Sequence, residues 1–451
     1  MHKPSENAYR KIRADRKVAV IGSGISGLSA AWLLSRTCHV TLFEADGRAG
    51  GHSNTADVTI GGETIPVDTG FIVYNERNYP NLTALFSYLG VETQESEMSF
   101  SASLDNGAFE YGGSNIATLL AQKSNMLRFS FWRMLFDIFR FYRHAPALAK
   151  SEHADSLTLG DYLDARGYSR RFVEDHILPM GAAIWSTTPE QMRGYPLAAF
   201  TRFFESHGLL TLVDRPQWRT VTGGSRSYVT RMLEQISGPV RLNAPVDRIL
   251  RDADGVRLMI NGAEEHFDSV VVATHGDQAL KLLGDAGSQE QEILSAFRYT
   301  INEAYLHSDE RMMPAHRKVW SSWNYLERRA GGNTSLCVTY WMNRLQAIDE
   351  RFPMFVTLNP AEEPQNVHAR YTYAHPLFDR AAIEAQRNLW RIQGEGNVWY
   401  AGAHFGSGFH EDGLQSGLAA AEAISGIRRP WQVENESGRI FLAPAEPLAA
   451  E

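Results

Sequence analysis

Between Val18 and Asp46 the chain reads VAVIGSGISGLSAAWLLSRTCHVTLFEAD, and this stretch restricts the fold more than any other. An apolar β-branched run (Val18 to Ile21) meets the turn Gly22-Ser23-Gly24-Ile25-Ser26-Gly27, continues in a helical pattern through Leu34, and gives way to a second apolar run, His39 to Phe43, ending at Glu44. Strand, tight turn, helix, strand is the opening of a parallel sheet. Gly22 permits the turn, Gly24 lets backbone approach a pyrophosphate, and Gly27 allows the helix to pack closely on the strand. The helix N-terminus adds free N–H groups and a positive dipole end. Glu44 and the following Ala45 stand where an acidic strand end takes a ribose diol. A glycine turn kept for packing alone is the blander reading; the flanking strands and the placed acid favour dinucleotide binding.

A chain of 451 residues exceeds the size at which one hydrophobic core keeps growing, so two domains are expected. No window approaches the run of apolar residues that a membrane span needs, and the formal charge of −8 argues against a general nucleic-acid binder. Two cysteines, Cys38 and Cys337, are too few for a disulfide framework or a cysteine-rich zinc site, which fits a reducing, cytoplasmic setting. The polar, basic lead-in MHKPSENAYRKIRADRK has no apolar core of a secretory signal and reads as frayed.

Downstream of the acidic strand end comes Arg48-Ala49-Gly50-Gly51-His52, and the whole pattern E-A-D-x-R-x-G-G-H resembles the extended FAD fingerprint of the flavin amine oxidase and phytoene desaturase superfamily. In that family the acid binds the adenosine ribose, and the Arg-x-Gly-Gly stretch runs beside pyrophosphate and flavin. Arginine is commoner where this chain has His52. That departure, with VDTGFIVYNERNYPNL (Val67 to Leu82) and AIWSTTP (Ala183 to Pro189), resembles a bacterial subgroup associated with cyclopropane and methylated (furan) fatty acid formation. The resemblance implies an α/β fold: a Rossmann-like FAD-binding domain of the two-domain amine oxidase type, with an interleaved α+β substrate domain. It cuts the FAD-binding domain into 17–75, 217–277 and 392–430 and the substrate domain into 76–216 and 278–391, with 1–16 and 431–451 as tails. It also implies that Val246, following the Gly223-Gly224 lead-in, contacts adenine through its backbone, that Tyr74 and Asn75 enter the substrate pocket, and that Trp185 is a pocket wall. FAD is expected to be held without a covalent bond.

Near the C-terminal end, HFGSGFHEDGLQSG (His404 to Gly417) packs two histidines, two adjacent carboxylates and four glycines into one loop. It follows a short apolar strand ending at Gly402 and precedes a small-residue helix entered through Gly413, Leu414 and Gln415. Strand, glycine loop and helix N-terminus again stabilise negative charge, here that of a reduced flavin ring. A metal site is disfavoured, because the histidines are six apart through glycines rather than on one helix face. Asp412 reads as a helix N-terminal carboxylate. For His404 and Glu411 two readings stay open: a proton acceptor beside the flavin, or a residue that holds the loop.

The segment SNMLRFSFWRMLFDIFRFYRHAPAL predicts a helix capped by Ser124 or Asn125, with Arg133, Asp137, Arg140 and His144 on one face opposite an aromatic surface. It suits either an interfacial membrane contact through 124–145 or a cover over the cavity. The resemblance implies an FAD-dependent oxidoreductase that desaturates a lipid, a methylated unsaturated fatty acyl chain of a phospholipid, by proton abstraction and hydride transfer to flavin N5. Catalytic candidates are His404, Glu411 and Tyr74, and the expected setting is the cytoplasm or the inner face of the membrane. The alternatives are a flavin amine oxidase and a non-catalytic flavin- and lipid-binding protein.

Overall fold

The computed structural model describes residues 16–443 except 114, 152, 153, 155, 211–214, 331 and 332. The expected lead-in up to residue 15 and the last residues, 444–451, lie outside the described residues.

The glycine motif forms as its spacing predicts: strand Lys17–Ile21, helix Ile25–Leu34, strand His39–Phe43. The two strands pair in parallel and become the centre of a five-stranded parallel sheet, flanked by Val240–Arg241 beyond His39–Phe43, and by Ser269–Val272 and then Val398–Tyr400 on the other side. Strands drawn from four distant parts of the chain thus meet in one sheet, and the ends of those at its centre open toward the glycine turn. Val18, Val20, Val40, Leu42 and Val271 are buried together with Leu28 and Leu33 of the helix, which accounts for the unbroken apolar runs. The helix His410–Ser425 lies against Ile25–Leu34. A side-chain carbon on Gly413 would come within 2.8 Å of Ile25 Cγ2 and Ser26 Oγ, and one on Gly417 within 2.1 Å of the Ser26 carbonyl. Glycine at this i, i+4 pair lets the two helices touch along their backbones.

The second half of the molecule is a seven-stranded sheet in which Val367–Leu377, Arg298–His307, Phe355–Leu358, Asn333–Trp341 and Trp323–Ala330 run on to Phe100–Leu104 and Phe109–Gly112. The last two come from the first piece, 76–216, of the expected substrate domain; they add onto the sheet through a parallel pairing of Trp323–Leu326 with Phe100–Ser103. The helix Leu178–Trp185 packs against the sheet's strands Trp323–Ala330 and Val367–Leu377. The aromatic segment forms a helix at Phe129–Ala149, later than expected and without a side-chain cap, because Asn125 turns inward and donates to the Glu110 carbonyl at 2.8 Å.

Its faces also differ from expectation. Phe131, Met134, Phe141 and Ala145 pack inward, but Asp137 is buried too, accepting the Ser169 N–H at 2.9 Å and pairing with Arg133 and Arg140. Phe129, Trp132, Phe136 and Phe139 face outward instead. The described part of the expected C-terminal tail, 431–443, is docked: Trp431 stacks on Trp32 with ring centres 5.8 Å apart and Arg439 pairs with Asp412 at 2.6 Å, while just before the tail Arg429 is buried against Glu422.

Candidate active site

A cavity of about 850 Å³ runs from the glycine turn to the inner face of the large sheet. At its first end Gly22 adopts φ +96°, and any side chain there would strike the Ala273 carbonyl at 2.7 Å. Gly24, the residue before the helix, has nothing within 4 Å of where a side chain would begin and no side-chain cap, so the helix N–H groups face open space. Glu44 Oε2 accepts the Ser23 N–H at 2.9 Å and the Ser23 hydroxyl at 2.5 Å, while Oε1 accepts the Asp46 N–H at 2.9 Å. That carboxylate is fixed at the strand end, on the cavity wall. Arg48 lines the same wall, and its buried Nη1 has no partner.

FAD fits this end on those observations: a side-chain-free cradle for the pyrophosphate, an orphaned buried guanidinium nitrogen for its negative charge, and an oriented acid for a ribose.

The structure brings Gly22, Ser23, Gly24, Ser26, Glu44, Ala45, Arg48, Gly51, His52, Val246, Gly402 and His404 to this one cavity. Gly27, Gly50, Gly413, Leu414 and Gln415 build it without lining it. A side-chain carbon on Gly27 would overlap the Gly22 carbonyl, Gly50 donates its N–H to the Ser23 carbonyl at 3.0 Å, and Gly413 serves the helix contact described above. Leu414 is fully buried, and Gln415 donates to Glu411 at 3.0 Å and accepts the Arg439 N–H at 3.1 Å. The cavity instead meets the C-terminal helix at its first turn, through Phe409 and His410.

Two expected catalytic residues are corrected. Glu411 is fully buried off the cavity, and its carboxylate accepts the N–H groups of Asn81 (3.1 Å) and Leu82 (3.0 Å) and the Asn81 side chain (2.7 Å). It caps the helix Pro80–Leu89 from across the molecule, satisfying donors that a helix start leaves open. Tyr74 is buried edge-on between Tyr79 and Phe86, and neither it nor Asn75 reaches the cavity wall. Asp412 is the helix N-terminal residue expected, accepting the Phe409 N–H at 2.8 Å. Asp68 binds the Ser225 N–H and hydroxyl (2.9 and 2.8 Å) and Thr55 (2.6 Å), tying the Thr55–Asp68 hairpin to the Gly223-Gly224 turn.

The far end of the cavity is aromatic and rich in histidine. Trp185 is a wall residue as the resemblance implied, 4.7 Å from Phe203, which in turn stacks on Phe409 at 4.8 Å. His52 lies 4.9 Å from Tyr373 and 5.3 Å from His375. His410 stacks on Phe71 at 3.7 Å, with Nε2 shared between Ser53 (2.8 Å) and Tyr228 (2.9 Å). His404 sits 4.7 Å from Phe297 with its buried Nε2 unpartnered. His207 presents Nδ1 to the Phe203 carbonyl at 2.9 Å, so Nδ1 carries the proton; its buried Nε2 is left with a lone pair and no partner.

Burial pushes His207, His404 and His410 down to about 3 and His375 to about 4, and it holds His52 well below the usual range with help from His375. At neutral pH these imidazoles are uncharged. Among the described residues the only carboxylates on the wall are Glu44 and Asp46, both beside the glycine turn. No group of three or more His, Cys, Asp or Glu is placed to hold a metal among the described residues, and both cysteines are buried off the cavity.

Sequence reasoning missed His207, His375, Tyr373 and Phe409. Two signals were present. Tyr371, Tyr373 and His375 alternate on one face of a strand, and His207 follows Phe203 by one helical turn.

A parallel sheet with this cradle, opening into an uncharged aromatic chamber, defines an FAD-dependent oxidoreductase with an α+β substrate domain. The chain belongs to the family described as flavin containing amine oxidoreductase, which matches residues 25–344. It is 27% identical over 270 residues to a Mycobacterium tuberculosis protein named as a flavin-containing monoamine oxidase, AofH, the match covering 57% of this chain and 56% of that one. The chain thus spans little more than half the length of the curated relatives it matches.

Among solved structures, the fold is similar to a putrescine oxidase variant (TM-score 0.67, 16% identity, 91% of this chain and 99% of that one). It is similar to cyclohexylamine oxidase from Brevibacterium oxydans (TM-score 0.66, 18% identity, 91% and 99%). It is also similar to a fatty acid isomerase from P. acnes that produces CLA (TM-score 0.65, 14% identity, 91% and 98%).

Proposed function

We propose that this chain is a flavin amine oxidase for a monoamine with a largely apolar body. The observation that carries this reading is the far end of the cavity: aromatic walls, imidazoles kept neutral by burial, and no carboxylate. Such a chamber penalises a second positive charge, so a diamine suits it poorly although one similar structure is a putrescine oxidase. The name of the M. tuberculosis relative also favours a monoamine.

Bound FAD supplies a two-electron acceptor. The chain's residues select and orient the substrate. Neutral walls admit the free amine over the ammonium ion, and the unpartnered Nε2 lone pair of His207 accepts one of its N–H hydrogens. Trp185, Phe203 and Phe409 exclude water around the apolar body. The expected consequence is that kcat/KM rises about tenfold per pH unit below the amine's own pKa, near 10 for an alkylamine. A flat profile between pH 7 and 9 would contradict admission of the neutral form.

A second reading is desaturation of a lipid acyl chain, such as a methylated unsaturated fatty acyl group. Its support is the same apolar chamber together with the outward aromatic row on Phe129–Ala149. Anaerobic bleaching of the bound flavin decides between the two. Long-chain alkyl monoamines should bleach it within the mixing time of a turnover experiment, and diamines, free fatty acids and phospholipids should not. Bleaching by lipids alone would overturn the amine reading.

A further inference from the structure

We propose that the outward face of the helix Phe129–Ala149 is a docking surface for an anionic lipid bilayer. Phe129 (84% exposed), Trp132 (49%), Phe136 (58%) and Phe139 (58%) recur every three or four residues, and Leu127 (90%) and Met126 (39%) extend the row from the preceding turn. Over about 15 Å of helix, large apolar side chains are therefore held in water. Burial explains the inward residues of this helix, but nothing in the described residues covers this row.

Charge identifies the occupant. From Ile116 to Lys150 the chain carries six lysines and arginines and one acid, Asp137, in a molecule whose net charge is −8. That acid is buried inside the helix packing. Arg133 and Arg143 are exposed among the aromatics, and every exposed charge between Ile116 and Lys150 is positive. This is the composition of a helix lying in the interface of an anionic membrane: rings sink to the headgroup boundary while arginines meet phosphate. Among the described residues no helix is long and apolar enough to cross a membrane, so the helix rests on the surface.

The helix also packs on Leu197–Ser206, which carries Phe203 of the cavity wall, placing the bilayer one helix away from the chamber. The proposal does not depend on which substrate is oxidised.

The test is cosedimentation of the FAD-loaded chain with sucrose-filled vesicles of saturated phosphatidylcholine, with and without phosphatidylglycerol. Binding is expected to the anionic vesicles, weakly to the neutral ones, and to fall as salt is raised. Trp132→Ser with Phe136→Ser should reduce partitioning by on the order of tenfold or more. Arg133→Gln and Arg143→Gln should each reduce it roughly fivefold. Trp132, Phe136 and Arg143 are exposed, and without Arg133 the buried Asp137 still holds Arg140 and the Ser169 N–H, so the flavin spectrum should stay at the wild-type value in every variant and the melting temperature should stay so in all but Arg133→Gln. The proposal is overturned if the wild type ignores anionic vesicles, if the aromatic double variant binds as well as wild type, or if sedimentation in solution shows a dimer that this double variant dissolves.

Discussion

Glu411 and His207 exchange roles between sequence and structure, and each carries a distinct expectation. Removing the Glu411 carboxylate with Glu411→Ala strands two buried backbone N–H groups and the Asn81 amide. It should cost about 2–4 kcal/mol of unfolding free energy, read by urea titration, while kcat of the fraction still holding flavin stays near wild type. His207→Phe removes the unpartnered Nε2 acceptor from an aromatic stack, and with it the Nδ1–H bond to the Phe203 carbonyl, which still accepts the His207 backbone N–H at 3.1 Å. It should leave stability within about 1 kcal/mol of wild type and lower kcat/KM roughly tenfold; unchanged kinetics would remove His207 from the substrate site.

The buried histidines make stability depend on pH. His207, His404 and His410 titrate near 3 when folded and near 6.5 when unfolded, so the unfolded chain binds more protons in between. The stability they permit is fully present above pH 6.5 and is lost as pH falls toward 3, by roughly 1.4 kcal/mol per pH unit for each histidine. Urea midpoints measured from pH 7 to pH 5 should fall accordingly, and His207→Phe should make the decline shallower. Glu411 was beyond sequence reasoning because its partners lie some 330 residues away. The place of Glu44 on the cavity wall was legible because it is set by the glycine turn that precedes it, where Ser23 binds its carboxylate.

At the scale of elements, the two glycine-bearing helices form one unit. Gly417→Ala would place a carbon 2.1 Å from the Ser26 carbonyl, pushing His410–Ser425 off Ile25–Leu34 and its first turn away from the cavity. A loss of about 1–3 kcal/mol should accompany weaker FAD retention, measured by flavin fluorescence after gel filtration; tight retention would show that the contact does not position the site. Arg439→Met should be costlier, about 3–5 kcal/mol, since it leaves Asp412 buried without its counter-ion.

Elements with a local signature were legible: the opening strands and helix form where the motif placed them. The aromatic helix was legible as a helix and misread in its faces. Periodicity groups charges together, but Asp137 is drawn inside by the Ser169 N–H and its two arginines, while four aromatic rings are left outside. Hydrophobicity does not say which side is in when both sides are greasy.

For the molecule as a whole, the class was legible and the chamber was not. The glycine cradle and the two strands at the centre of the parallel sheet follow from one contiguous stretch of chain, whereas the histidines of the cavity wall come from positions 52, 207, 275, 375, 404 and 410, brought together only by tertiary packing. The parallel sheet that carries the cradle takes its outer strand from Val398–Tyr400, and the cavity is closed by Phe409 and His410. During synthesis, then, the ribosome releases the pyrophosphate cradle first and the residues that complete the chamber last. Until Val398 is made, the strand Ser269–Val272 has one edge unpaired, although the strands at the centre of the sheet already have both neighbours. A cradle made early and a chamber wall made late leave an interval in which the open edge of Ser269–Val272 is a template for pairing with another chain.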